Sequence, residues 1–288
     1  MLFDLPAGPR LRPHRCSPCC LLPVALPARS SFPISYNSGP MKEPDSLAPH
    51  PTLDRYYESD AARPRFLRSI FDSTSEHYEW IENVLSFGCG IRYRSQVLRA
   101  AGFTPEMKHL DVATGTGAVA KAARTLAGSS EKIIGLDPSY GMLSQARKNL
   151  GLRTVQAAGE EIPFRSESFD FITVGYALRH LGDLRKAFTE WHRTLKPGGI
   201  LLILEISTPP SKGIRRSMLR FYMDTIVPKI VRLGTRSADA EEQMHYYWDT
   251  TETCVPPPTI VKALEESGFT AIHKSTTFGV FTEYRAVR

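Results

Sequence analysis

No run of this 288-residue chain approaches the ~20 apolar positions a membrane-spanning helix requires, and the apolar stretch from Leu21 to Leu26 is interrupted by Pro23. Cysteine is scarce. The five thiols are odd in number, which speaks against a disulfide framework and for a reducing compartment. Cys16, Cys19 and Cys20 cluster, but no His or Cys pair follows at zinc-finger spacing, so no metal site is expected; Cys89 and Cys254 stand alone. Polybasic blocks are also missing after residue 50. The net charge of +6 is dispersed, which removes nucleic acid as a partner and leaves attraction to an anionic membrane face open.

Acid is nearly absent from residues 1–40, where Asp4 is the only one, while Pro6, Pro9, Pro13, Pro18, Pro23, Pro27, Pro33 and Pro40 break any helix or strand. A disordered extension is therefore expected, drawn to residue 50. Arg10, Arg12, Arg15 and Arg29 among serines loosely resemble a transit peptide, but the prolines forbid its amphipathic helix. A cytoplasmic location, peripheral at a membrane if anywhere, is the expectation, with organellar targeting left open. Met41 offers an alternative translation start.

What the chain has is one organising stretch, His109-Leu110-Asp111-Val112-Ala113-Thr114-Gly115-Thr116-Gly117-Ala118-Val119-Ala120. An apolar strand runs into an acid, two glycines one residue apart, and an alanine-rich helix. Gly115 and Gly117 let the chain turn sharply and let a ligand approach the main chain, and the helix N-terminus behind them carries unpaired N–H groups. This is a cradle for a nucleotide-type ligand. The pattern also fits the G-x-G-x-x-G/A dinucleotide fingerprint, and a plain strand-to-helix turn fits it too. Asp111 favours S-adenosylmethionine, since a carboxylate there suits a cationic methionine amino group better than a pyrophosphate.

Around this stretch the periods alternate. Residues 51–104 read as a helical cover, with Phe66, Ile70, Phe71, Tyr78, Ile81, Val84 and Leu85 at three- and four-residue steps, a break at Ser86 to Gly90, and a second helix ended by Gly102. Residues 105–288 read as strand and helix in turn. Lys132 to Asp137 is the second strand, ending in an acid about 20 residues beyond the glycine turn, where a carboxylate can accept two ribose hydroxyls. Thr154 to Ala157 is the third strand, and the loop Ala158-Gly159-Glu160-Glu161 leaves room for an adenine ring. Ser168 to Val174 is the fourth, followed by Gly175-Tyr176-Ala177-Leu178-Arg179-His180; Ile200 to Ile206 is the fifth. Residues 208–257 form a helical insert in which Pro228 should break the helix, and Phe269 to Val287 a terminal hairpin. The expected architecture is α/β: a doubly wound, mostly parallel seven-stranded Rossmann-like sheet with an N-terminal helical cover and an insert before the last two strands.

Over residues 66–288 the chain resembles the class I S-adenosylmethionine-dependent methyltransferases, and more closely the ubiquinone/menaquinone biosynthesis C-methyltransferases. The matching pieces are Phe71-Asp72, Tyr78, Leu85-Ser86-Phe87-Gly88, Leu110 to Ala113 with Gly115-Thr116-Gly117, Ile162-Pro163-Phe164, Phe169-Asp170, Leu178-Arg179, Leu195 to Gly199 and Leu204-Glu205. The resemblance implies S-adenosylmethionine as cofactor, with contacts at Thr116, Asp137, Ala158-Gly159 and Gly175; Asp111, Gly115, Gly117 and Glu160 complete the expected set. The family has Asn at position 158, Ser at 175 and an Arg-Asn pair where Arg179-His180 stands, and its substrate segment is barely recognisable in Met244 to Thr251.

The resemblance further implies a prenylated benzoquinol or naphthoquinol as substrate, with peripheral membrane contact and a homodimer as open partners. Arg179 would hold a developing phenolate, His180 would accept a proton, and Tyr78 would close the site. Methylation of another small molecule on oxygen or nitrogen, a catalytically silent scaffold of a quinone-biosynthesis complex, and an NAD-dependent oxidoreductase are the rival expectations.

Overall fold

The structure, a computed structural model, describes residues 46–207 and 213–288. Residues 1–45, including the cysteine cluster and most of the proline-rich extension, lie outside the described residues. The extension was drawn too long, because its end at 46–50 is packed. Leu47 N donates to Asp183 Oδ1, Leu47 O accepts from Leu184 N, Pro49 O accepts from Val255 N, and His50 is buried.

The cover is α1 (Arg63–Leu85) and α2 (Gly90–Ala101). Pro64 sits in the first turn of α1, where a missing N–H costs nothing, and Gly102 closes α2 in the left-handed conformation. The sheet follows: β1 (His109–Val112), α3 (Ala118–Ala127), β2 (Ile133–Asp137), α4 (Tyr140–Leu150), β3 (Arg153–Gln156), β4 (Phe169–Gly175), a 3₁₀ turn Leu178–His180, α5 (Leu184–Thr194) and β5 (Leu195–Ile206). The insert comprises α6 (Ile214–Phe221), a π-helical turn (Tyr222–Ile226), α7 (Val227–Thr235) and α8 (Ala238–Thr253); α9 (Pro257–Glu266), β6 (Thr270–Thr277) and β7 (Phe281–Val287) complete the chain.

The seven strands lie in the order β3-β2-β1-β4-β5-β7-β6, with β7 alone running against the rest. Strand order reverses between β1 and β4, and a doubly wound sheet opens its ligand crevice at the carboxyl ends of the strands there. Strands β1 and β4 are buried almost throughout, because helices cover both faces. One face packs Phe188 and Trp191 of α5 and Leu264 of α9; the other packs Leu98 of α2 and Ala122 and Ala123 of α3.

A third cluster joins the cover to the insert through Leu67 and Ile81 of α1, Val227 and Val231 of α7, and Met244 and Tyr246 of α8. Pro228 does not break the helix as expected. It falls in the first turn of α7, directly after the π turn, where the looser hydrogen bonding leaves its missing donor without consequence.

Candidate active site

The glycine turn is built by main-chain geometry. Gly115 (φ +56°) and Gly117 (φ +93°) occupy the left-handed region, and a Cβ on Gly117 would stand 2.5 Å from Leu150 Cδ1. Beneath the turn lies Asp111, 1% exposed. Its Oδ2 accepts from Thr114 Oγ1 at 2.6 Å and Ala120 N at 3.2 Å, and its Oδ1 from Thr173 Oγ1 at 2.6 Å; Thr173 Oγ1 in turn meets His109 Nε2 at 2.7 Å. Burial raises the Asp111 pKa to about 6 against the pull of these bonds. Asp111 does not line the cleft above the strand ends; it ties the turn, α3 and β4 together from beneath.

A cleft of about 830 Å³ opens above the strand ends. On one side it is lined by Ala113, Gly115, Asp137, Ala158, Gly159, Glu160 and Gly175, on the other by Arg63, Phe71, Tyr78, His180 and Tyr247. Asp137 carries the polar end. Its Oδ2 accepts from Gly115 N at 2.9 Å and its Oδ1 from Ser139 N at 2.8 Å, so each oxygen keeps a lone pair for a further donor. Burial pushes its pKa up to about 6, with Asp111 and Asp72 adding to the rise.

Gly159 O accepts from Trp191 Nε1 at 2.8 Å and Glu160 Oε1 from Gly182 N at 2.6 Å, which fixes the loop after β3. Space beside Gly175 is taken by Val119 Cγ2, 2.7 Å from where a Cβ would stand. Ala113 (φ +52°) and Tyr176 (φ +59°), leaving β1 and β4, hold left-handed conformations that cost a non-glycine residue about 1–3 kcal/mol, and both line the cleft. Thr116 and Gly117 face elsewhere, toward a pocket of about 110 Å³ behind the turn against α1 and α2.

The other wall is made by side chains far apart in sequence. Tyr78 lines the cleft from the cover, its ring 4.0 Å from the place of a Cβ on Gly115, and its hydroxyl bonds Tyr247 Oη at 2.8 Å. Burial raises both phenol pKa values, so both stay neutral. Phe71, Tyr246 and Tyr247 surround His180, with ring centroids 5.4, 5.6 and 5.4 Å away. Neither ring nitrogen of His180 has a hydrogen-bond partner, and burial, followed by Arg179, Arg63 and His50, drives its pKa well below the usual value. His180 reaches the cleft, but as a neutral ring rather than a base titrating near neutrality.

Arg179 does not reach the cleft. It is 2% exposed, ion-paired with Glu205 at the end of β5, and its guanidinium lies 5.0 Å from the Tyr247 ring centroid. Glu205 Oε2 also accepts from Leu178 N at 3.0 Å, so the pair anchors the 3₁₀ turn that carries His180. Asp183, the nearest acid in sequence, instead caps α5. Arg63 and His50 were missed, since a charge at a helix start and a histidine beside the proline-rich extension carry no local motif, and Tyr247 was seen only within the weakly matched segment Met244 to Thr251. Leu204-Glu205 was visible only as a family match.

Sheet order, glycine turn and the acid at the end of β2 define a class I S-adenosylmethionine-dependent methyltransferase. Solved structures agree on the fold. A methyltransferase of Thermotoga maritima superposes with a TM-score of 0.54 at 19% identity, over 76% of this chain and 98% of its own. Phosphoethanolamine N-methyltransferase 2 of Haemonchus contortus, solved with phosphomonomethylethanolamine and S-adenosylhomocysteine, gives 0.55 at 17%, over 77% of this chain and 60% of its own.

More specifically, residues 58–288 match the model of the ubiE/COQ5 methyltransferase family, and the chain belongs to that family. Demethylmenaquinone methyltransferase of Clavibacter sepedonicus is 31% identical over 231 residues, 78% of this chain and 91% of its own length. The ubiquinone/menaquinone biosynthesis C-methyltransferase UbiE of Shewanella sp. (strain W3-18-1) is 29% identical over 234 residues, 78% and 92% of the two chains. The protein is an S-adenosylmethionine-dependent methyltransferase.

Proposed function

We propose that the protein methylates a ring carbon of a prenylated benzoquinol or naphthoquinol in quinone biosynthesis. The observation that carries the reading, beyond the family, is the division of one cleft into a polar end at Asp137 and an aromatic end at Phe71, Tyr78, His180 and Tyr247. The polar end fits S-adenosylmethionine. Asp137 offers two free lone pairs to a ribose diol, and Ala158 and Gly159 leave space for a flat base. When bound, S-adenosylmethionine supplies an electrophilic methyl group on a sulfonium sulfur.

The chain's own work is alignment and exclusion of water. Tyr78 and Tyr247, bonded to each other, close the cleft above the glycine turn. The neutral ring of His180 offers one donor and one acceptor to the acceptor's oxygens. Arg179 positions this wall from behind by holding Glu205 and stacking on Tyr247.

The test is methyl transfer from labelled S-adenosylmethionine to short-chain demethylated naphthoquinols and benzoquinols kept reduced, with products identified by mass spectrometry. Label on a ring carbon is the expected result. Label on oxygen or nitrogen, or none with the cofactor bound, rejects the reading.

The same reading makes an anionic bilayer the second partner, with the protein peripheral on it. In support, Ile214, Met218 and Phe221 share one face of α6, and Ile230 and Leu233 are exposed apolar residues on α7, each at least 40% exposed. Between Ile214 and Arg236 the chain carries six basic residues against the single acid Asp224. An apolar face flanked by cations suits a negatively charged headgroup layer.

A further inference from the structure

Three arginines are buried among the described residues. Arg94 faces Glu82 and Arg179 faces Glu205, so two enter the interior as ion pairs. Arg63 does not. At 3% exposed and on the wall of the cleft, it has no carboxylate at ion-pair distance among the described residues. Its Nη2 donates to Arg179 O at 2.6 Å and meets His50 Nε2 at 2.8 Å, while its Nε has no partner.

Both partners are neutral. His50 Nδ1 lies 2.7 Å from Pro51 O, which places its proton there and leaves Nε2 as the acceptor; burial and then Arg63 itself lower the His50 pKa. Asp60, on the same wall, accepts from Thr52 Oγ1 at 2.8 Å. The charge of Arg63 is also the first residue of α1, whose N-terminal N–H groups add positive potential. A buried cation in such surroundings is strongly disfavoured unless something supplies the opposite charge.

We infer that the acceptor supplies it, and that Arg63 is the cation that receives the ionised ring oxygen of the substrate. The inference rests on the quinol reading and moves the electrostatic role from Arg179, whose charge Glu205 already satisfies, to Arg63. The ring hydroxyl gives its proton to water, and the oxyanion faces the guanidinium. The ring carbon then uses its electron pair to bond the methyl carbon as the bond to sulfur breaks, sulfur keeping that bond's electrons. The methylated carbon finally releases its proton to water, which restores the aromatic ring. Because the oxyanion is the form that reacts, the substrate class is narrowed to acceptors with an ionisable hydroxyl conjugated to the methylated carbon.

The experiment compares wild type, Arg63→Met and Arg63→Lys in single turnover with a short-chain prenylated 1,4-naphthohydroquinone across pH, with S-adenosylmethionine affinity measured separately by calorimetry. Arg63→Met is expected to slow methyl transfer by about 10²–10³-fold. It should also move the pH of half-maximal rate upward by about 1–3 units, since an opposite charge lowers an acid's pKa by that much. Cofactor affinity should stay within about twofold, and Arg63→Lys should restore the original inflection with part of the rate.

An Arg63→Met enzyme as fast as wild type overturns the inference, and so does a slower one whose inflection has not moved, because a residue that only shapes the wall scales the profile without shifting it. If the Met variant fails to fold, Arg63→Gln against Arg63→Lys decides on the same inflection. A wild type that binds S-adenosylmethionine but methylates no quinol removes the quinol reading and this assignment together; one that methylates while Arg63→Met matches it removes the assignment alone.

Discussion

The two walls of the cleft are built in different ways. On the nucleotide side, the working groups are main-chain atoms and one carboxylate set by the neighbouring strand ends of β1 to β4, within residues 109–175, and Asp111 is bonded only to residues of that same layer. On the acceptor side, residues 50, 63, 71, 78, 179, 180, 205 and 247 come from five separate segments, and every contact between those segments involves at least one side chain. A wall made of backbone tolerates change in its side chains. A wall made of side chains does not; the chain departs from its family's pattern at Ala158 and Gly175 on the first wall and at His180 on the second.

The sharpest way to break the acceptor wall is to split its ion pair. Arg179→Met leaves Glu205 buried and uncompensated, and should cost ~3–5 kcal/mol, lowering the melting temperature by on the order of 10 °C. Adding Glu205→Leu should recover most of it. A single variant that melts like wild type and only loses rate would return Arg179 to the chemistry.

The next effect tests the nucleotide layer. A carboxyl whose pKa is raised by folding binds its proton more tightly in the folded state, so its stabilising contribution is full below pH ~4 and is lost as pH rises through about 6, the value for Asp111. Asp111→Asn is neutral throughout. Urea melts should show its stability rising relative to wild type by roughly 2–3 kcal/mol between pH ~4 and ~6. A constant difference across that range would mean that Asp111 is ionised without penalty.

Smaller again is the effect on cofactor binding. Asp137→Ala should weaken S-adenosylmethionine by ~1.5–3 kcal/mol, tenfold to over a hundredfold, with the acceptor wall intact. Wild-type affinity should itself fall as pH drops through about 6, where Asp137 takes up a proton. Unchanged calorimetric affinity in the Ala variant would remove Asp137 from the site.

The smallest lies outside the cleft. Phe221→Ser should reduce flotation with phosphatidylglycerol vesicles about tenfold, the equivalent of one exposed aromatic no longer buried in lipid, without changing single-turnover rate. Equal flotation, or a concentration-dependent dimer lost in the variant, would assign the face to a second copy of the chain.

The same contrast explains what could be read in advance. Strand and helix alternation, the glycine turn, the acid ending β2 and the terminal hairpin were legible because each signal is carried by residues near one another in sequence. Asp111 was visible, but only the fold shows that it is buried beneath the turn and bonded to Thr114, Ala120 and Thr173. Arg179 and His180 were found by family pattern, yet their partners Glu205 and Tyr246 are 26 and 66 positions away, a separation no periodicity encodes. His180 sits in the cleft as expected, but its depressed pKa comes from three other basic groups brought together by tertiary packing. Residues 46–50 looked like the rest of the proline-rich extension, and only their bonds to the start of α5 and to Val255 ahead of α9 separate them from it.

The place of β7 has a consequence for how the molecule comes into being. The last strand in sequence lies in an inner lane, between β5 and β6, bonded to Leu201 to Leu204 on one side and to the hairpin on the other. A ribosome-bound chain that has released β5 therefore exposes a row of leucine and isoleucine with open hydrogen-bonding groups until some 80 further residues, the whole insert among them, have emerged. During that interval the sheet is unfinished and its edge is sticky, so a pause in translation, or a nonsense codon within the hairpin, should yield chains sought by chaperones and proteases rather than a weakened enzyme.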